Sequence, residues 1–182
     1  VNVYLGATLV GIQPAPGQRY DRNDVAAVVA LWADVDCRGP GREGKPLPPD
    51  LGAIQAWLMS NAVPLRPSVV VGSGYGVHAW WLLKEPILIE SEAGRVRAER
   101  LTKGWHGLIC DLAAQQGWRL ENLGDLARVL RAPGTKNWKD PNDPQLVEIF
   151  EADYERRYDA EEFTAYELQE ESGPESQPHL DD

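Results

Sequence analysis

The sequence predicts an α+β fold, on three observations. Two strand-like runs, residues 67–71 and 77–83, flank a glycine-rich connection and read as a hairpin. Residues 50–61 and 90–116 instead carry apolar side chains at helical spacing. Strands and helices follow one another in mixed order, with hairpins as well as helical crossovers and no internal repeat, which argues against a strictly alternating α/β domain.

Taken in order, residues 2–10 read as an opening strand, ended by the loop Pro14-Ala15-Pro16-Gly17. Residues 25–35 fit two states: the early Ala/Val run suits a helix, whereas Leu31-Trp32-Ala33-Asp34-Val35-Asp36 suits a strand. Residues 38–49, rich in Gly, Pro and charge, are expected to form an exposed loop. Asp50 then stands at the start of a helix with Leu51, Ile54, Trp57 and Leu58 on one face. The hairpin follows, with Trp80 and Trp81 on opposite faces of its second strand, so at least one belongs to the core. The long helix over 90–116 puts Trp105, Leu108, Ile109 and Leu112 on its apolar side and is a candidate for a break at Gly104. His106 on this helix reads as structural. Residues 123–130 predict a short helix or turn, and residues 145–150 the last strand.

A chain of 182 residues that is 43% hydrophobic, with seven tryptophans, can bury a core as one domain. The longest apolar run, residues 25–33, is too short to cross a bilayer, so no membrane partner is expected. The first residues carry no signal peptide pattern, and the start at Val1 leads us to expect a longer polypeptide. Cys37 and Cys110 form neither a disulfide framework nor a zinc cluster, and a cytoplasmic location is expected. The net charge of −10 is unevenly placed: from residue 151 onward twelve acidic residues face two basic ones, and the first 150 residues are neutral. The body therefore retains the means for a basic face, and Arg128, Arg131, Lys136 and Lys139 cluster in sequence to make one. Beyond residue 163 the composition is that of an acidic, disordered tail or linker.

Three motifs carry chemistry. In a strand, Asp34 and Asp36 point to one face about 7 Å apart and suit a shared divalent ion or a pair of ions. The connection Gly72-Ser73-Gly74-Tyr75-Gly76 offers a hydroxyl and closely approachable backbone N–H groups, and His78 follows in the returning strand as a donor to a phosphate oxygen. The same glycines are not a dinucleotide fingerprint, because a strand rather than a helix follows them, and no kinase motif accompanies them. Third, Asp125 supplies another carboxylate, Arg128 and Arg131 lie three apart on one face of a helical turn, and Pro133-Gly134 turns the chain to present Thr135, Lys136 and Asn137. Acids beside guanidinium and ammonium groups suit a polyanion that arrives with its metal.

In that order, Asp-x-Asp, Ser-Gly-x-Gly-x-His and Asp-x-x-Arg-x-x-Arg-x-Pro-Gly-Thr-x-Asn resemble the archaeo-eukaryotic primase (AEP) superfamily, and more narrowly the primase-polymerase domains of phage and plasmid replication proteins. The likeness covers residues 2–150. It implies the AEP primase fold, an RRM-like antiparallel sheet with flanking helices and a smaller α/β portion, with residues 1–163 as the catalytic domain and 164–182 as the tail. By position it implies that Asp34, Asp36 and Asp125 are the catalytic, metal-binding acids. Ser73, Gly74 and His78 then contact the triphosphate, with Arg128, Arg131, Lys136 and Asn137 completing the nucleotide site. The implied activity is template-dependent nucleotidyl transfer from dNTPs or NTPs on single-stranded or primed DNA, using two Mg²⁺ or Mn²⁺ ions; several relatives also carry a zinc module, but no zinc is expected here because no Cys/His group has zinc spacing. A fused or associated helicase is an expected partner. Trp32, Tyr75 and Trp138 are the aromatics nearest the motifs for stacking on template bases. A metal-dependent nuclease or phosphohydrolase, or a non-catalytic nucleotide- or single-strand-binding module, would draw on the same residues.

Overall fold

The computed structural model describes residues 1–169 apart from 13, 16, 17, 40 and 43; the expected tail beyond 169, with His179, and parts of the two loops at 14–17 and 38–49 lie outside the described residues. The ambiguous run at 25–35 is a strand. A short 3-10 helix, Arg22–Asp24, closes on a reciprocal capping box between Asp21 and Asp24. The chain then runs extended through Val25–Asp36, strand β3. This strand is covered on both faces over most of its length, and a buried central strand reads as a nearly unbroken apolar run, which is why periodicity alone did not identify it.

The opening strand is two strands in different sheets. β1 (Tyr4–Gly6) pairs with β6 (Val129–Arg131), while β2 (Leu9–Val10) pairs with the start of β3. Between them Ala7 and Thr8 are buried, and the Thr8 hydroxyl donates to the Leu126 carbonyl at 2.8 Å. The hairpin is as expected, with β4 (Val69–Gly72) antiparallel to β5 (Gly76–Leu88), and Trp81 fully buried. The last strand is also divided: β8 (Gln145–Leu146) pairs with β7 (Lys136–Asn137), and β9 (Glu148–Ala152) joins β4.

The main sheet has the antiparallel order β2-β3-β5-β4-β9. Its succession of β3, helix α1 (Leu51–Leu58), β4, β5 and helix α2 (Glu92–Gln115), with β5 between its two predecessors, is the connectivity expected of an RRM-like core. At the edges it departs from that expectation: β9 adds beside β4, and the free side of β3 takes β2.

Helix α1 (Leu51–Leu58) starts where the Asp50 carboxylate accepts from the Ala53 N–H at 2.8 Å, and it buries Ile54, Trp57 and Leu58. Helix α2 (Glu92–Gln115) starts at Ser91, whose hydroxyl caps the Gly94 N–H. It does not break at Gly104. A Cβ there would lie 2.0 Å from the Tyr166 carbonyl oxygen, so the glycine admits a neighbouring backbone. Leu108 and Leu112 are only partly buried, and the buried face instead runs through Ala98, Leu101, Trp105, Ile109 and Ala113. Trp105 is the centre of the helix–sheet contact, edge-on to Trp81 of β5 at 4.9 Å between ring centroids and to Phe163 at 4.8 Å. Phe163 and Tyr166 belong to a second 3-10 helix, Ala160–Tyr166, and the Leu168 N–H donates to the Arg100 carbonyl. Packing therefore continues past residue 163, because the aromatic pair in this last turn has a surface on α2 to cover.

Residues 123–130 form no helix. The turn alternative holds, with the Arg128 N–H donating to the Asp125 carbonyl at 3.0 Å, and the N-terminal segment then takes the Arg128 carbonyl, which accepts from the Ala7 N–H at 2.8 Å and from the Tyr20 hydroxyl at 2.9 Å. Val129 and Leu130 pass into β6. Among the described residues no helix is long and apolar enough to cross a membrane.

Trp105 is fully buried against three aromatic rings, so Trp105→Ala is expected to lower stability by about 3–5 kcal/mol. Urea denaturation checks this as a lower midpoint at unchanged slope.

Candidate nucleotide and metal site

The β3–β5 register builds the floor of the site. Asp34 stands directly opposite His78, and Asp36 opposite Gly76. The intervening Leu31, Ala33 and Val35 are opposite Trp81, Ala79 and Val77, on the face that meets Trp105 of α2. Alternation along the strand thus puts apolar side chains toward the helix and carboxylates toward a cleft. Trp32 shares the alternation of the acids but is buried, its indole N–H donating to the Leu123 carbonyl at 3.2 Å, so it cannot stack on a ligand.

The cleft has a volume of about 480 Å³ and gathers Asp34, Asp36, Ser73, His78, Arg128, Arg131 and Asn137 from the three motifs. Arg19, Arg42 and Lys139 also line it, so five cations surround two acids. Tyr4 and Tyr75 contribute aromatic walls: the Arg131 guanidinium lies 5.0 Å from the centre of the Tyr4 ring, and the Lys139 ammonium 5.7 Å from that of Tyr75.

Asp34 and Asp36 are held under electrostatic pressure. Burial pushes the Asp34 carboxyl above the usual range, opposed by Arg128, Arg42 and Arg131. Burial and then the neighbouring Asp34 do the same to Asp36, opposed by Arg42. Arg42 donates to the Asp36 carboxylate at 2.6 Å and to the Tyr75 carbonyl at 3.0 Å. It was not singled out from the sequence, although it sits in the Gly/Pro-rich loop only six residues after Asp36, short enough to fold back. Arg19 had no sequence signal at all.

His78 is buried, with Nε2 3.7 Å from the nearer Asp34 oxygen, beyond hydrogen-bonding reach, and with Nδ1 lacking a hydrogen-bond partner among the described residues. Burial, with the nearby Arg131, pushes its pKa down to about 4, so the ring is neutral at pH 7 and offers one N–H rather than a charge. The buried Nε of Arg128 likewise has no partner among the described residues. Both atoms are inaccessible to solvent, as are the unpartnered indole N–H groups of Trp57 and Trp105.

Four expected site residues behave differently. Asp125 does not join Asp34 and Asp36: its half-exposed carboxylate pairs with Arg128 at 2.5 Å, and no group of three or more His, Cys, Asp or Glu residues is placed to hold a metal ion among the described residues. The lost helical turn explains this, because β6 begins within four residues of Asp125 and draws the segment toward β1. Glu121 instead lines a small recess of about 60 Å³ together with the other two acids. Asn137 lines the cleft but is buried and bonded to main chain, its amide donating to the Ser73 carbonyl at 2.6 Å and its oxygen accepting from the Lys139 N–H at 3.0 Å. It ties the hairpin turn to β7. Gly74 takes φ +93°, and a Cβ there would lie 2.5 Å from Cβ of Gln145, so the turn and its packing account for this glycine. Lys136 is exposed on β7 and does not line the cleft. Arg128 and Arg131 do not share a helical face, yet both reach the cleft, one from the turn and one from β6.

The donor set bears on which metal fits. Two carboxylates on one strand face, mutually repelling, with no sulfur ligand beside them in the cleft, suit a hard divalent cation such as Mg²⁺ or Mn²⁺. The surrounding cations suit the phosphates that such an ion accompanies.

No protein-family model matches the chain, and no curated protein matches it in sequence. A search of solved structures matches the AEP domain of the cyanophage S-2L primase-polymerase, with a TM-score of 0.55 at 17% identity over 81% of this chain. The match spans 64% of that domain, just under two thirds of its length. At this identity the likeness concerns the fold: the chain has an AEP-like fold, a mixed α/β arrangement around an antiparallel sheet.

Proposed function

We propose that this domain is a primase-polymerase-type nucleotidyltransferase that extends or initiates a strand on a DNA template from dNTPs or NTPs. The observation that carries the reading is the convergence of Asp34, Asp36, Ser73, His78, Arg128 and Arg131 from three distant motifs on one cleft of an AEP-like fold. Asp34 and Asp36 would hold Mg²⁺ or Mn²⁺. A bound divalent pair supplies charge neutralisation at the attacking 3′-hydroxyl and at the leaving pyrophosphate.

The chain's own residues do the rest by position and charge. Arg128 and Arg131 neutralise and orient the triphosphate, with Lys139 and Arg19 at the rim of the same cleft. His78 donates its single N–H to a phosphate oxygen, and the Ser73 hydroxyl adds a second donor. Arg42, which compensates Asp36 in the free protein, is within reach of the same phosphates once the acids have another counter-charge. Asp125 holds Arg128 in place. Template bases stack on the exposed Trp138 and on Tyr75, and phosphate contacts make that binding largely independent of sequence.

The double substitution Asp34→Ala, Asp36→Ala is expected to reduce incorporation on a labelled primer-template by about 10³-fold or more while leaving the circular dichroism spectrum intact. Primer extension at the wild-type level by that variant overturns the proposal, and shortening of the primer by the wild type favours a nuclease. Asp34→Asn tests the electrostatics separately. A carboxyl whose folded pKa is raised contributes stability that is present below its unfolded pKa and lost as pH rises through the folded value. At neutral pH the ionised group is therefore a liability, and in EDTA the Asn variant is expected to melt a few degrees higher than wild type at pH 7.5, with the difference vanishing toward pH 3. An unchanged or lower melting temperature at pH 7.5 contradicts the assignment.

A further inference from the structure

Strand β3 has an open edge. Its partner β2 covers only residues 25–27, so the half of β3 that carries the acids has a sheet neighbour on the β5 side alone. An uncovered N–H on such an edge, inside a protein, needs another acceptor. At Asp34 the acceptor is His106 of α2: the Asp34 main-chain N–H points at Nε2 of a fully buried imidazole at 3.3 Å. The other ring nitrogen, Nδ1, lies 3.4 Å from the Leu123 N–H and 3.6 Å from Sγ of Cys110. A neutral ring accepts at one nitrogen only. Main-chain N–H groups point at both ring nitrogens, so one tautomer accepts from Asp34 at Nε2 and the other from Leu123 at Nδ1, with the Cys110 sulfur beside Nδ1.

The imidazole therefore stands where three pieces meet: α2, the strand of the acids, and the segment that leads to Asp125 and Arg128. That segment lies flat on α2. The Thr102 hydroxyl donates to the Gly124 carbonyl at 2.7 Å, and the Asn122 amide to the Lys103 carbonyl at 2.9 Å. A Cβ at Gly124 would lie 2.5 Å from the Thr102 oxygen.

We propose that His106 is a positioning residue of the site, fixing the main chain at Asp34 against α2 and against the segment that delivers Arg128. The inference rests on the reading of Asp34 and Asp36 as metal ligands. Substitutions separate its roles by geometry: Gln places an acceptor where Nε2 stands, Asn where Nδ1 stands, and Phe keeps the ring volume with no acceptor.

Two measurements on the whole chain test it: Mn²⁺ affinity by electron paramagnetic resonance, and hydrogen exchange at the Asp34 amide by NMR. His106→Phe is expected to weaken Mn²⁺ binding by about 10- to 100-fold and to speed exchange at Asp34. His106→Gln is expected to restore both, and His106→Asn neither. If Phe fails to fold, the contrast between Gln and Asn decides. Wild-type affinity and exchange in the Phe variant, or equal behaviour of Gln and Asn, overturns the proposal. A wild-type protein that binds no Mn²⁺ overturns the metal reading itself, a failure visible before any variant is compared.

Discussion

The antiparallel pairing of β3 with β5 is the constraint on which the fold and the site both rest. Side chains alternate along a strand, so a slip of one residue in β3 would turn Asp34 and Asp36 toward α2 and offer Ala33 and Val35 to the cleft. The helix face prevents the slip. Leu31 and Trp81 are cross-strand neighbours, Trp81 meets Trp105 edge to face, and Trp105 in turn carries Phe163 and Tyr166. The aromatic packing on one side of the sheet thus sets the position of the carboxylates on the other.

Burial then gives those carboxylates their character. Two acids on a shielded strand end repel each other and are poorly hydrated, and the protein answers with cations from the turn at 128, from β6 and from the loop after β3. A chain with an overall charge of −10 presents a cleft in which cations outnumber acids. That mixture of signs is what the proposed ligand, an anion carrying its own metal ion, would match.

What the sequence made legible follows the range of the interactions involved. The Asp50 cap, the glycine hairpin and the face of α1 are local and read correctly. The state of residues 25–35 depended on burial of both faces of the strand, and the divisions at 2–10 and 145–150 arise because β1 pairs with β6 more than a hundred residues away and β9 with β4 some seventy residues away, while β2 and β8 pair with nearer strands. The segment at 123–130 fits a short helix or a turn in isolation; it makes the turn, and its end is drawn into β6 by the N-terminus. The resemblance of the three motifs named half of the residues that line the cleft. It could not show that Asn137 bonds the hairpin turn's main chain, that Asp125 pairs with Arg128, or that Arg42 folds back onto Asp36, because each depends on a contact made only after folding.

The central claim is that the paired acids and the cations facing them form one site for a metal-bound nucleotide. A crystal of the protein soaked with Mn²⁺ and a non-hydrolysable deoxynucleoside triphosphate tests it directly through the anomalous signal of the metal. A Mn²⁺ peak between the Asp34 and Asp36 carboxylates is expected, with the triphosphate against Arg128 and Arg131. Density for the nucleotide elsewhere, or no anomalous peak at the acid pair, would contradict it.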